Sequence, residues 1–157
     1  MTIEEHPRPI GGWLILVTLG LIVTPLRLDA SIFTTFIPIF TGESWRMLTT
    51  PGQEAYHPLW APLLIFELLG NATFCVWAIV LFWPYFKRKR AFPRLFITFC
   101  VANLVFVLVD LFVVGRIPAA GAIDPESLRE VIKSGISCLI WVPYFIVSKR
   151  VAATFVL

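Results

Sequence analysis

Charge is scarce in this chain. Only 15% of its 157 residues are Asp, Glu, Lys or Arg, against roughly 25% in soluble domains, and those few are clustered, which argues against a solvated globular surface. The net charge is +3, and the basic residues sit at the ends of apolar runs without interleaved polar surface. A nucleic-acid partner is therefore unsupported. Cysteine is rare too: Cys75, Cys100 and Cys138 lie inside apolar runs, odd in number and without ligand spacing. They read as reduced packing residues, with neither a disulfide framework nor a metal site expected. No GxSxG, P-loop, HExxH or CxxC is present, so hydrolytic, phosphotransfer and redox chemistry find no support. The chain is expected to be no enzyme and to carry no cofactor. A lipid-acting enzyme using Glu67, Asp110 and His57 is the alternative from that class.

What the chain has in abundance is apolar length: 58% of its residues are hydrophobic and its mean hydropathy is +0.83. About 20 residues at 1.5 Å rise cross a hydrocarbon core of about 30 Å. Four runs reach that length, at about residues 10–27, 60–86, 95–114 and 125–148. The fourth is interrupted by Lys133, but Asp124 as N-cap, Pro125 at the first helical position and Glu126 beside it mark a helix start. The expected architecture is all-α: a single membrane domain over residues 1–157, built as a bundle of four transmembrane helices. A cleavable signal peptide is not expected, because residues 1–9 contain Glu4, Glu5 and two prolines and no small-residue cleavage site follows. Residues 10–26 should stay as an anchor.

A phrase occurs twice. Trp83-Pro84-Tyr85-Phe86 precedes Lys87, Arg88, Lys89 and Arg90, and Trp141-Val142-Pro143-Tyr144-Phe145 precedes Lys149 and Arg150. Aromatic rings followed by basic charge is the order in which a helix meets the membrane interface and then the cytoplasm. With the N-terminus inside, eight Lys and Arg (Arg8, Lys87, Arg88, Lys89, Arg90, Arg94, Lys149 and Arg150) fall on the inner side. Five (Arg27, Arg46, Arg116, Arg129 and Lys133) fall on the outer side, which accounts for all 13. Both termini are expected to be cytoplasmic. The phrase suggests duplicated helix pairs, although the first halves of the two pairs share no match and any helix ending at the cytoplasm tends to look like this.

The outer segment 28–59 is too long for a plain turn and carries Phe33, Phe36, Phe40, Trp45 and Met47. It is expected to form short surface helices broken by Pro38, Pro51 and Gly52, or to extend the first helix outward over 31–40. Gly11 and Gly12 are expected to bend the chain where it enters the membrane.

Ionisable groups within a span are costly and call for named partners. Asp110 lies 16 residues beyond Arg94 and Lys133 lies 16 residues before Lys149, which puts both roughly 24 Å above the inner boundary. Glu67, 20 residues before Lys87, and Arg129, 20 before Lys149, both come out near 30 Å. Glu67 with Asn71, and Arg129 with Lys133, are i, i+4 pairs on single faces. A two-rung ladder between the second, third and fourth helices is predicted, joined by Arg27 from the first, with Asn103 on nearly the same face as Asp110. Such charges can hold the bundle together or reach the outer interface. They can also form a site for a polar ligand, an ion or a proton, or touch another membrane subunit. His57 lacks a Cys or His partner at ligand spacing and reads as a loop hydrogen-bonding residue; a proton relay with Glu67 is the sharper alternative.

Gly11-Gly12-Trp13-Leu14, His57-Pro58-Leu59-Trp60, Glu67 with Asn71, and the ending Trp141-Val142-Pro143-Tyr144-Phe145 with Ser148-Lys149-Arg150-Val151-Ala152-Ala153-Thr154-Phe155 resemble the bacterial membrane-protein family catalogued as domain of unknown function 2569. The likeness runs over residues 11–155, and the terminal phrase is its specific part. The resemblance implies a four-helix, multi-pass protein of the bacterial inner membrane with an outer loop between the first two helices. It implies no activity, substrate or catalytic residue. The expected function is an accessory or assembly protein whose partners are the lipid bilayer and another membrane protein, or a second copy of itself. The alternative is a small transporter or proton-coupled or ion-coupled channel in which Glu67 and Asp110 carry the ion.

Overall fold

A segment in hydrocarbon must satisfy every backbone N–H and C=O internally, so apolar runs of spanning length become helices. The computed structural model describes residues 9–121 and 125–156. Helix α1 (Leu14–Ser31) passes through one π-helical turn (Ile32–Phe36) into α2 (Ile37–Thr41). There follow α3 (Glu43–Thr49), α4 (Trp60–Phe86), α5 (Phe92–Val114), α6 (Pro125–Val147) and α7 (Lys149–Thr154). Four stretches are long and apolar enough to cross a membrane: Leu14–Thr41, Trp60–Phe86, Phe92–Val114 and Pro125–Val147. The chain is all-α with four membrane-spanning helices. Arg8 and the N-cap expected at Asp124 lie outside the described residues.

The first span runs past Arg27 to Thr41, which is the outward extension of the first helix and not a separate surface helix over 31–40. Pro38 was expected to break a surface helix, since proline lacks a donor and clashes with the carbonyl four residues back. That carbonyl belongs to Thr34, inside the π-turn, where the ladder is widened. The proline is thereby absorbed, and the helix ends only at Gly42, whose backbone is extended.

Helix α1 packs closely on α4, α4 on α5, and α5 on α6, while α1 and α6 meet through side chains such as Arg27 with Glu130. The bundle is an arc with a seam between its first and last spans. Between α4 and α5 the approach is close at Gly70, where a Cβ would collide with the Phe106 ring.

The core lies at the end of the bundle that holds Lys87 to Arg90. Tyr85 and Phe92 are fully buried there with Leu14 and Leu81. The Tyr85 ring lies 4.9 Å from Phe92, and Phe155 closes over Phe92 at 4.8 Å. The Tyr85 hydroxyl donates to the Leu14 carbonyl at 2.7 Å and meets the Thr18 hydroxyl at 2.6 Å. A further helix, α7, is capped by Ser148, whose hydroxyl accepts the Val151 N–H at 3.3 Å. It folds back so that Val151 and Phe155 join this core. The Arg90 Nε–H donates to the Val156 carbonyl at 2.7 Å, which ties the α4–α5 loop to the end of the chain. Gly11 and Gly12 do more than bend the chain: a Cβ on Gly11 would fall 2.8 Å from the Arg150 Nη2, and Gly12 has φ +60°. Together they admit the Arg150 side chain.

The repeated phrase has unlike surroundings in its two copies. Tyr85 is sealed within the core, whereas Tyr144 is half-buried beside Trp13, at 6.4 Å between ring centroids. Trp83 is 63% exposed with Lys89 Nζ 5.5 Å above its ring, the arrangement of an interfacial aromatic.

Candidate functional site

Toward the other end the four spans separate around a cleft of about 450 Å³. From the first span, Arg27, Leu28, Ser31, Thr35 and Phe36 line it, the last two brought there by the π-turn. Helix α4 contributes Glu67 and Asn71. From α5 come Asn103, Phe106 and Asp110, and from α6 Glu126, Ser127 and Glu130. Asn71 follows Glu67 by one helical turn and Asp110 follows Asn103 by two, so each polar pair shares a face.

Glu67 and Asp110 face each other across α4 and α5, within hydrogen-bonding reach. Ionised carboxylates only accept hydrogen bonds, so such a pair is held by a proton shared between the two groups or by a cation. Arg27 reaches across the seam to Glu130, with Nη1 donating to Oε1 at 2.7 Å and Nη2 to Oε2 at 3.0 Å. This is a bidentate pair, the strong form of the interaction. It stays wet, the Arg27 side chain being 55% exposed and Glu130 31%. On the cleft wall Asn103 Nδ2 donates to Ser134 Oγ at 2.9 Å, joining α5 to α6.

The predicted ladder does not form. Lys133 pairs with Glu130 at 3.2 Å and Arg129 with Glu126 at 2.9 Å, each three residues away on α6 itself. Neither cation lines the cleft. Local i, i+3 acids take up these cations, since side chains three apart are neighbours on a helix surface, and Asp110 is left turned toward Glu67. Arg27 does join the polar group, through Glu130 instead of Asp110. Glu126 is marked in the sequence only as a helix-start signal, and Glu130, Ser31, Thr35 and Ser127 carry no mark there. The signal for the two acids was their spacing ahead of Arg129 and Lys133. His57 lies outside the cleft; its Nδ1 accepts the Leu59 N–H at 3.3 Å and its own N–H donates to the Leu48 carbonyl at 3.3 Å. It is a loop hydrogen-bonding residue.

Among the described residues no group of three or more His, Cys, Asp or Glu side chains is placed to hold a metal ion. The cysteines are free thiols, and Cys138 Sγ donates to the Cys100 carbonyl at 3.2 Å. The arrangement suits electrostatic binding of a positively charged group.

Against known proteins, the family described as Protein of unknown function (DUF2569) matches residues 7–156. The chain belongs to that family. No curated protein and no solved structure matches it.

Proposed function

We propose that this DUF2569 protein binds a small positively charged ligand in the cleft between its spans, with its basic end in the cytoplasm of a bacterium and the cleft toward the outer leaflet. The observation that carries the proposal is the Glu67–Asp110 pair opening onto a polar cleft in a membrane bundle. Four carboxyl groups line that cleft against one cation, Arg27. A cationic ligand therefore meets acidic partners already held in place by helices, without the cost of ordering them. The orientation draws on Lys87, Arg88, Lys89, Arg90, Arg94, Lys149 and Arg150, which lie at the opposite end.

The role is binding without chemical conversion, and an ion-coupled or solute-coupled carrier is its natural setting. A purely structural accessory role has less support, because its charges would be sealed struts between helices and not groups around an open space. A stoichiometric membrane partner retained in mild detergent would favour that second role.

The test uses purified protein in nanodiscs of phosphatidylglycerol and reads the thermal unfolding midpoint against sodium, magnesium and ethanolamine. At least one of these should raise the midpoint, and Glu67→Gln and Asp110→Asn should abolish the rise. Losing a charge-assisted hydrogen bond of about 1.5–3 kcal/mol weakens binding about tenfold or more. No response to any of the three cations, or a response that both variants retain, overturns the proposal.

A further inference from the structure

Below the cleft lies a second hollow of about 100 Å³ with a mainly apolar lining, including Leu21, Ala78, Phe96 and Phe99. It opens on the same seam between α1 and α6. On α1, Gly20, Thr24, Leu28 and Ser31 follow at steps of four, four and three residues, and pass from the lower hollow into the cleft. On α6, Trp141 and Ser137 face the hollow and Glu130 faces the cleft, with Ser134 between them bonded to Asn103. Steps of three and four keep one helical face, so each helix turns a continuous stripe toward the seam. The two hollows therefore lie one after the other along the same pair of helix faces.

A Cβ placed on Gly20 would meet nothing within 4 Å, so α1 leaves room beside the lower hollow where Ser137 and Trp141 of α6 form its other wall. A free hydrophilic cation has no use for an apolar hollow beneath its site or for a side opening into hydrocarbon. A lipid needs both.

Resting on the cation-binding reading above, we infer that the ligand is a phospholipid with a primary ammonium group, entering sideways between α1 and α6 with its headgroup in the cleft and a short stretch of one acyl chain in the lower hollow. The ammonium meets Glu67 and Asp110. The phosphodiester meets Arg27, which uses one N–H from each of Nη1 and Nη2 on Glu130 and has further donors on a guanidinium that carries five. Arg27 lies 13 residues beyond Leu14, roughly 20 Å along the span. The charges therefore sit within the depth of the bilayer, where a headgroup can reach them only if it is drawn inward from the leaflet.

The experiment is native mass spectrometry of delipidated protein in detergent, titrated separately with phosphatidylethanolamine, phosphatidylglycerol and the tail-less glycerophosphoethanolamine. One phosphatidylethanolamine should bind per chain, about tenfold or more tighter than either comparator, a difference of about 1.4 kcal/mol or more. Gly20→Trp and Ser137→Phe block the lower hollow from its two sides. Each should lower phosphatidylethanolamine binding by about tenfold while leaving the weak binding of glycerophosphoethanolamine as it was. Glu67→Gln should lower both. Equal binding of the lipid and its tail-less headgroup, unaffected by either blocking variant, would overturn the lipid inference and leave the cation site standing. Equal binding of phosphatidylglycerol would also overturn it, as unselective lipid coating. If Glu67→Gln changes no amine's binding, the cation site itself fails. Should one blocking variant not fold, the other decides.

Discussion

Both ends of this bundle place a polar side chain against the first helix. At the basic end the Tyr85 hydroxyl reaches the Leu14 carbonyl from a position with no exposed surface, while at the cleft Arg27 holds Glu130 with more than half of its side chain exposed. The first contact is enclosed by aromatic rings and cannot change without a void. The second is already solvated and can be shared with a ligand. Packing and polar lining are thus separated along the bundle: the aromatic end fixes how the spans meet, and the far end gathers carboxyl groups around a cleft.

That contrast is open to attack by mutation. The largest effect is expected at Tyr85→Ala, which removes a fully buried ring from among Phe92, Phe155 and Leu14. Large-to-small aromatic changes in a core cost about 3–5 kcal/mol, so unfolding in a titration of denaturing detergent should shift sharply. A neutral result would mean the aromatic end is not the core. Next comes Gly70→Leu, which forces α4 away from Phe106. Overpacking of this kind costs about 1–3 kcal/mol, and because Glu67 lies one turn away on α4, cation binding should weaken along with stability. Retained binding at lowered stability would show that the cleft tolerates a shift of α4. The smallest effect is expected from Arg27→Ala. A solvent-exposed pair contributes about 0–1 kcal/mol, and Lys133 remains beside Glu130. Should this variant destabilise the protein as much as Tyr85→Ala, the cleft is a structural joint and the contrast collapses.

The four spans were legible because lipid demands about 20 apolar residues for each crossing, and no tertiary contact is needed to see that. Pro125 and Glu126 correctly marked the start of α6, which begins at Pro125 with Glu126 in its first turn. The pairing of the charges was not legible. Counting residues from the basic anchors gives height in the membrane, but it carries no rotation about the helix axis. Asp110 and Lys133 were matched by height, yet α5 turns Asp110 to α4 while Lys133 stays with Glu130 on α6. Which face looks at which neighbour depends on the lateral order α1, α4, α5, α6, and that order emerges only from packing such as Gly70 against Phe106. Glu130 escaped notice for a related reason: its main partner, Arg27, is 103 residues away. A proline alone does not locate a break in such spans: Pro25, Pro84 and Pro143 lie inside α-helices, and Pro38 follows the π-turn into α2.

The π-turn at Ile32–Phe36 is equivalent to a helix that has taken in one surplus residue. Each residue advances the helix by about 100°, so this surplus rotates everything beyond it by nearly a third of a revolution. Thr35 and Phe36 border the cleft in that rotated setting. Wound as a regular α-ladder without loss of a residue, the same segment would carry both side chains about 100° around the helix axis. A deletion of one position at this turn would take out only the surplus and keep the later residues on their present side, whereas the same deletion elsewhere in the span would turn the cleft wall away.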